Sequence, residues 1–462
     1  MRLSQNVFNK ENRMMSNQMT RRRFLRNAGL GAGSAIMLAA CQPMAAEQAG
    51  DGDGAAAQTA EPVSIISMTW GRAEMMEDVA AAFAENNDGA IAVENQTLGW
   101  GDYWTKLNTL YASGSPPDSA WTHTAWVRPH AVLGAIEDLN PRIDASPEFP
   151  DDWYESVWGL FTFEGGQYGT SWDVGVQGIW FNRTLYDAAG LTGPGVGSTY
   201  AELLEASLAL TTDREGNHPQ DDGFNKREVA VWGMSNMVDN WVNEIRPQAV
   251  AWGTDVFNED DTECIVNSEA TVEFLNWYLE AIQTHQVHPS ADLIEGLGNL
   301  FVSGSSALIS TFPGIIDQFD GSFDWEISPY PMGGDSGTHT LNVGGSAFSI
   351  PSESPHPEEA WEWLEYNAGE EAHQIWASTG IINARKSTSK YVLELLDVPD
   401  TFVEFYMDRI DEFGVPVWQH KNRAQVNTAL TAAFELVWLG DRTVEDAANA
   451  VKAEVDELLA DA

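Results

Sequence analysis

The sequence predicts an α/β fold in which a mostly parallel sheet is covered by helices. Two stretches carry that prediction. Apolar, β-rich runs at 63–70 and 90–97 alternate with helical patterns at 73–85 and around Tyr103, Leu107 and Leu110. A β-α-β-α order requires crossover connections, which lay helices over a parallel sheet. Further along in LNVGGSAFSI (341–350), Gly344-Gly345 allows a close backbone approach and 346–350 reads as a half-buried strand, stopped by PSESPHP, after which Glu358 and Glu359 open a helix. Those two charges complement the positive end of the helix dipole, and Ala360, Trp361 and Leu364 share one face.

Taken in order, residues 1–40 are not part of the fold. Arg21-Arg22-Arg23-Phe24-Leu25-Arg26 fits a twin-arginine export signal, and 28–40 is an apolar run of small residues. At about 13 residues that run is shorter than the ~20 a membrane span needs. Leu38-Ala39-Ala40-Cys41 fits a lipobox, so 1–40 is expected to be a twin-arginine lipoprotein signal peptide and Cys41 the lipidated first residue of the mature chain. An ordinary signal peptide with a chance cysteine is the alternative, and Met14, Met15 and Met19 are each candidate starts. Residues 41–61, rich in Ala, Gly, Asp and Gln, read as a flexible tether. With Cys41 lipidated only Cys264 remains, so no internal disulfide is expected.

From residue 41 onward the chain carries 17 basic against 68 acidic residues, a formal charge of −51. Small soluble domains sit nearer a magnitude of about 2 to 8. Such a field opposes nucleic acid and anionic membrane surfaces, both polyanions. A saline habitat, where salt screens the self-repulsion, and a merely acidic exported protein both fit. In the second half, 271–283 is amphipathic through Val272, Leu275, Leu279 and Ile282. Thr443-Val444-Glu445-Asp446 has a capping-box shape ahead of an apolar face on Val444, Ala447, Ala448, Val451, Val455 and Leu458.

Several segments together resemble a known family. They are Pro117-Asp118, Gln167-Tyr168-Gly169-Thr170-Ser171-Trp172-Asp173, Gly178-Ile179-Trp180-Phe181-Asn182, Phe312-Pro313-Gly314, the Gly344-Gly345 strand and Gly380-Ile381-Ile382-Asn383-Ala384-Arg385. The series is similar to the extracellular solute-binding proteins of ABC importers, in particular the sugar- and oligosaccharide-binding group that includes maltose- and glycerol-phosphate-binding proteins. It extends over roughly 400 residues, far beyond what a short motif supplies. The resemblance implies a two-lobed periplasmic-binding-protein fold, type II-like, with discontinuous lobes and a hinge. Lobe 1 is expected over 62–172 plus 323–351 and lobe 2 over 173–322 plus 352–462, with crossings near 173, 323 and 351. Two positions depart from the family pattern: Ser171 stands where proline is usual, and Gly314 where many relatives carry tryptophan.

A sugar has apolar CH faces ringed by hydroxyls, so its site needs flat aromatic platforms and short polar groups at the rim. In open α/β sheets, ligands sit outside the carboxyl ends of strands. Trp70 ends the first strand, Trp121, His123 and Trp126 follow the third, Trp172 and Asp173 sit at the crossover, and Asn240-Trp241 starts a contact helix of the second lobe. With Phe312, the backbone of Gly344 and Gly345, Ser346 and Arg385, these are the candidate ligand-binding residues. Ordinary core packing is the alternative for each tryptophan, and a surface salt bridge for Arg385.

No catalytic residues are expected. The chain has no Gly-x-Ser-x-Gly, His-Glu-x-x-His or phosphate-cradling Gly-x-x-x-x-Gly-Lys, and His285-x-x-His288 runs straight into Pro289 without a third ligand. A glycoside-processing extracellular enzyme is the alternative reading. The expected protein is an exported monomer without metal or cofactor, lipid-anchored on the outer face of the cytoplasmic membrane. Its ligand would be a mono- or oligosaccharide or polyol, and its partners permease subunits with a separate ATPase; no nucleic acid is involved. A glycerol-phosphate-type ligand stays open, although the acidic field opposes anions and Arg385 and Arg72 are the evident counter-charges.

Overall fold

The computed structural model describes residues 62–460 apart from 148, 150, 151, 239, 295, 320 and 334–336. The expected signal peptide, tether and Cys41 therefore lie outside the described residues. β1 (Val63–Trp70), α1 (Ala73–Asn86), β2 (Ile91–Leu98), α2 (Trp100–Ala112) and β3 (Ser119–His123) reproduce the expected alternation. β1 runs parallel to β2 from Val63↔Ile91 to Trp70↔Leu98, and parallel to β3 at Ser67↔Ser119. Met75, Met76, Val79 and Phe83 form the buried stripe of α1, and Tyr103, Trp104 and Leu107 that of α2. The spacing is that of a helix laid on a sheet.

After the short β4 (Thr170–Ser171) the chain passes Asp173 and enters β5 (Gly175–Asn182). Helix α3 (Tyr200–Leu210) starts at a complete Thr199–Glu202 capping box, and α4 (Glu269–Gln283) starts at Ser268, whose hydroxyl accepts from the Thr271 N–H. β6 (Leu308–Thr311), β7 (Trp325–Ser328) and β8 (Leu341–Gly344) all pair antiparallel with β5. β9 (Ser346–Ser349) then lies between β3 and β4. Helices α5 (Pro357–Ala368) and α6 (Glu370–Ala377) follow, then β10 (Gly414–Pro416), α7 (Arg423–Trp438) and α8 (Val444–Ala460). At the start of α8 the Thr443 hydroxyl accepts from the Asp446 N–H at 3.1 Å.

Two sheets result. The first has the order β2-β1-β3-β9-β4 and the second β6-β5-β8-β10, with β7 also on β5. Among the described residues β1 to β3 form the main parallel block; the second sheet is built antiparallel around β5, with β8 also parallel to β10, so the expectation of a mostly parallel sheet holds for part of one lobe. β9 was expected to be half-buried from its small-apolar alternation, but all four of its residues are buried. It is an inner strand, paired on both edges.

The expected division also needs correction. Residues 325–328 and 341–344 pair in the second sheet, and only 346–349 of the 323–351 segment pair in the first. Helices α5 and α6 bury Ala360, Trp363, Leu364 and Trp376 in one core with Met68 and Phe348 of the first sheet. The return crossing therefore sits at Gly344-Gly345 and not at 323 or 351. An apolar alternation identifies a strand but not the sheet that will pair with it.

The crossings lie side by side. Gly344 is the Cα partner of Gly175, and a Cβ on Gly345 would stand 3.0 Å from the Asp173 carbonyl oxygen. A methyl there would force the neighbouring backbone to give by a few tenths of an ångström. A third segment joins them: Val174 N–H donates to Ile382 O at 2.9 Å and Ala384 N–H to Trp172 O at 3.3 Å. Among the described residues no helix is long and apolar enough to cross a membrane.

Candidate functional site

β1, β2 and β3 end together, and each carboxyl end delivers an aromatic ring. Trp70 closes β1, Trp100 opens α2 two residues after β2 through Gly99, and His123 closes β3 with Trp126 just beyond. The Trp70 and Trp100 ring centres are 5.1 Å apart, Trp100 and His123 5.2 Å, and Trp104 stacks on Trp126 at 5.0 Å. Trp100 remains 48% exposed although three aromatic rings pack against it at near right angles. An indole held by neighbours and still half open to solvent is a candidate stacking platform.

The second lobe carries a group of amides near its crossing, Gln177 and Asn342 among them buried. Asn342, two residues before the crossing, donates from Nδ2 to the Asn243 carbonyl oxygen at 2.9 Å. Gln177 Nε2 donates to Ser310 Oγ at 3.0 Å, and the Asn240 N–H donates to Glu244 Oε2 at 2.9 Å. Arg423, at the start of α7, reaches Asn243 Oδ1 at 2.5 Å through a terminal nitrogen. Arg423 lies near enough to His123 of the first lobe for its charge to be felt there. Loss of hydration, with the Arg423 charge adding to it, pulls the His123 imidazole down to about 3, so the ring is neutral near pH 7. Burial lowers Arg423 itself to about 10, which leaves it charged.

Of the residues expected to contact ligand, Trp70, His123 and Trp126 stand in this aromatic group, all three half-buried. Gly344, Gly345, Ser346 and Asp173 come together at the crossing. The Ser346 N–H donates to Asp173 Oδ1 at 2.5 Å, and Gly345 O accepts from the Thr124 N–H at 3.3 Å. Asn240 caps the turn 241–245, its Oδ1 accepting from the Val242 and Asn243 N–H groups at 3.1 and 2.9 Å. Phe312 is half-buried beyond the end of β6.

Four expectations are corrected. Trp121 and Trp172 are 1% and 3% exposed and packed against each other, with Trp172 stacked on Trp376 at 4.4 Å. Trp241 is 1% exposed against Phe434 in the core of the second lobe. Their faces are covered by other side chains, so they serve as packing and not as sugar platforms. Arg385 is taken up by Asp152 at 3.0 Å and by the Ala368 carbonyl oxygen at 3.1 Å. Burial opposes the ionisation of Asp152, yet the Ser387 and Arg385 hydrogen bonds hold its carboxyl below the usual range.

Trp100 and Arg423 were missed. Trp100 was recoverable, because the carboxyl-end rule applies to the second strand as well as to the first and third. Arg423 carried no local signal, since its partner Asn243 lies 180 residues away. Elsewhere, a surface groove of about 790 Å³ between α7 and α8 is lined mainly by alanines and has no aromatic wall.

Comparison with known proteins bears on the family and the fold. A binding protein of Brucella abortus (strain 2308) is 21% identical over 295 residues, 63% of this chain and 67% of that one. Among solved structures, an ABC substrate-binding protein of Listeria monocytogenes in complex with cycloalternan superposes with a TM-score of 0.73 at 24% identity, covering 86% of this chain and 98% of the other. The sugar-binding protein MalE of Xanthomonas citri gives 0.68 at 19% identity, with 86% and 98% covered. The fold is thus the two-lobed α/β fold of these substrate-binding proteins. The family model for bacterial extracellular solute-binding proteins matches residues 78–392, and the chain belongs to that family.

Proposed function

We propose that the protein captures a saccharide or related polyol between its two lobes and delivers it to a membrane permease driven by a separate ATPase. The observation that carries this reading is the ring cluster of Trp70, Trp100 and Trp126 at the carboxyl ends of three parallel strands. Accessible indole surface suits sugar CH faces. The cycloalternan complex of the Listeria protein and the sugar-binding description of the Xanthomonas one support the same ligand class. Lobe 1 is taken as 62–172 with 346–382, and lobe 2 as 174–344 with the rest. Closure about the crossings 172–175, 344–346 and 382–385 would couple occupancy to permease docking, because ligand contacts made by both lobes favour the closed form.

The family consists of binding proteins, and the chain is read as a receptor without catalysis and as a monomer. A thermal-shift screen of sugars, polyols, amino acids and phosphodiesters, with an assay for new reducing ends, tests both points. Saccharides should raise the melting temperature and release no reducing ends. If only amino acids or peptides did so, the carbohydrate assignment would fall; new reducing ends would restore the glycosidase reading.

Export follows the twin-arginine segment and Cys41, with lipid on Cys41 and a second acyl chain giving firm anchoring. Replacing Cys41→Ser should release folded protein from the membrane fraction. A Cys41→Ser protein that stayed with the membrane would exclude this anchor.

A further inference from the structure

Arginine pairing in this chain is uneven. Arg142, Arg246, Arg385 and Arg409 each hold a carboxylate at 2.7–3.0 Å. Arg423, near His123 of the first lobe, has no carboxylate partner among the described residues. Its contact is the neutral Asn243 amide, and its Nε is buried without a hydrogen-bond partner. Arg128, in the first lobe just after Trp126, has no ion pair among the described residues; it donates to the Gln419 carbonyl oxygen at 3.3 Å and lies over the Phe163 ring.

Arg423 is half-buried, and a cation whose Nε has neither solvent nor a partner is costly to leave unpaired; a chain with 68 acidic residues after position 40 had ample means to supply a counter-charge. Helix α7 adds to the positive potential, since its first turn has neither a side-chain cap nor an acidic residue. We infer that the cleft is built for a saccharide bearing a carboxylate, such as a hexuronate unit. The Arg423 guanidinium receives the carboxylate while Trp100 takes the sugar face. The inference rests on the carbohydrate reading above and narrows it.

Guanidinium and carboxylate match in geometry, and their charge-assisted hydrogen bonds are about twice as strong as neutral ones. A neutral sugar would also accept from Arg423 but would leave its charge uncompensated. The negative charge of the whole molecule does not decide the matter. At physiological salt it is screened beyond about 8 Å, whereas a pair formed inside the cleft is screened far less.

The test is calorimetric titration of the full-length protein at pH 7 with galacturonate, glucuronate and digalacturonate, against galactose, glucose and galactobiose as neutral counterparts. At least one acidic sugar should bind about tenfold or more tightly than its neutral counterpart, and lose affinity as salt is added. Arg423→Gln should weaken acidic sugars by about 30-fold or more and neutral ones, which lose a hydrogen bond but no charge pair, by clearly less, so that the preference for the acidic sugar disappears. Arg423→Lys should keep part of the preference. Neutral sugars binding as well as or better than acidic ones would overturn this inference alone and leave the carbohydrate reading standing. Binding by no saccharide of either kind would overturn both. Should Arg423→Gln fail to fold, the wild-type comparison of acidic with neutral sugars decides by itself.

Discussion

Between β4 and β5 the chain changes sheets through Asp173, whose Oδ1 accepts from the Ser346 N–H of the returning strand. Burial pushes this carboxyl up from its ordinary 3.8 to about 7, against the Ser346 hydrogen bonds and the Arg72 charge. The sign of the linkage follows. Between pH 4 and 7 the native state holds a proton that the unfolded chain has released, so stability falls as pH rises through that window. Asp173→Asn cannot titrate and should lack this slope. Denaturant midpoints measured from pH 4 to pH 7 should therefore fall for the wild type relative to the variant, and parallel profiles would contradict the assignment. Charge at this residue was not legible in the chain, because a carboxyl's environment comes from segments 170 and more residues away. The aromatic residues were half legible. Trp70 and Trp126 follow from strand ends, whereas Trp121 lies inside a strand whose first four residues are all buried, so position along the strand could not say that its ring faces core.

At the scale of elements, the three crossings form one braid: Asp173–Gly175, Gly344–Ser346 and Ile382–Ala384 share backbone hydrogen bonds and bridges. The two glycines are there because the chains touch. A Cβ on Gly345 would meet Asp173 O at 3.0 Å and Val157 Cγ1 at 3.4 Å, whereas one on Gly314 would meet nothing within 4 Å. Gly345→Ala should cost about 1–3 kcal/mol, the usual range for forcing a methyl into a packed site. Gly314→Ala should be close to neutral. Chemical denaturation of the two variants checks this, and equal stabilities would show that the braid gives way freely. The Gly-Gly pair stood out in the sequence, but as the interior of one strand. That it is the point where the strand leaves one sheet for the other depends on pairing with Gly175 and His123, which no local pattern encodes.

For the whole molecule, the alternation of β1 to β3 with their helices, the amphipathic α4 and α8, and the family itself were readable from periodicity and motif order. The allocation of 323–351 and of α5 and α6 to lobes was not, because both lobes offer similar apolar surfaces and only tertiary pairing chooses between them. The central claim is that a saccharide sits on the ring cluster at the carboxyl ends of β1 to β3. Trp100 is the platform whose removal should spare the fold, being 48% exposed. The most direct measurement is calorimetric titration of wild type and Trp100→Ala with the saccharide that gives the largest thermal shift. The account predicts one site per chain in the wild type and a loss of about 2 kcal/mol, roughly 30-fold, in the variant with its melting temperature little changed. An unchanged Kd in Trp100→Ala would contradict it.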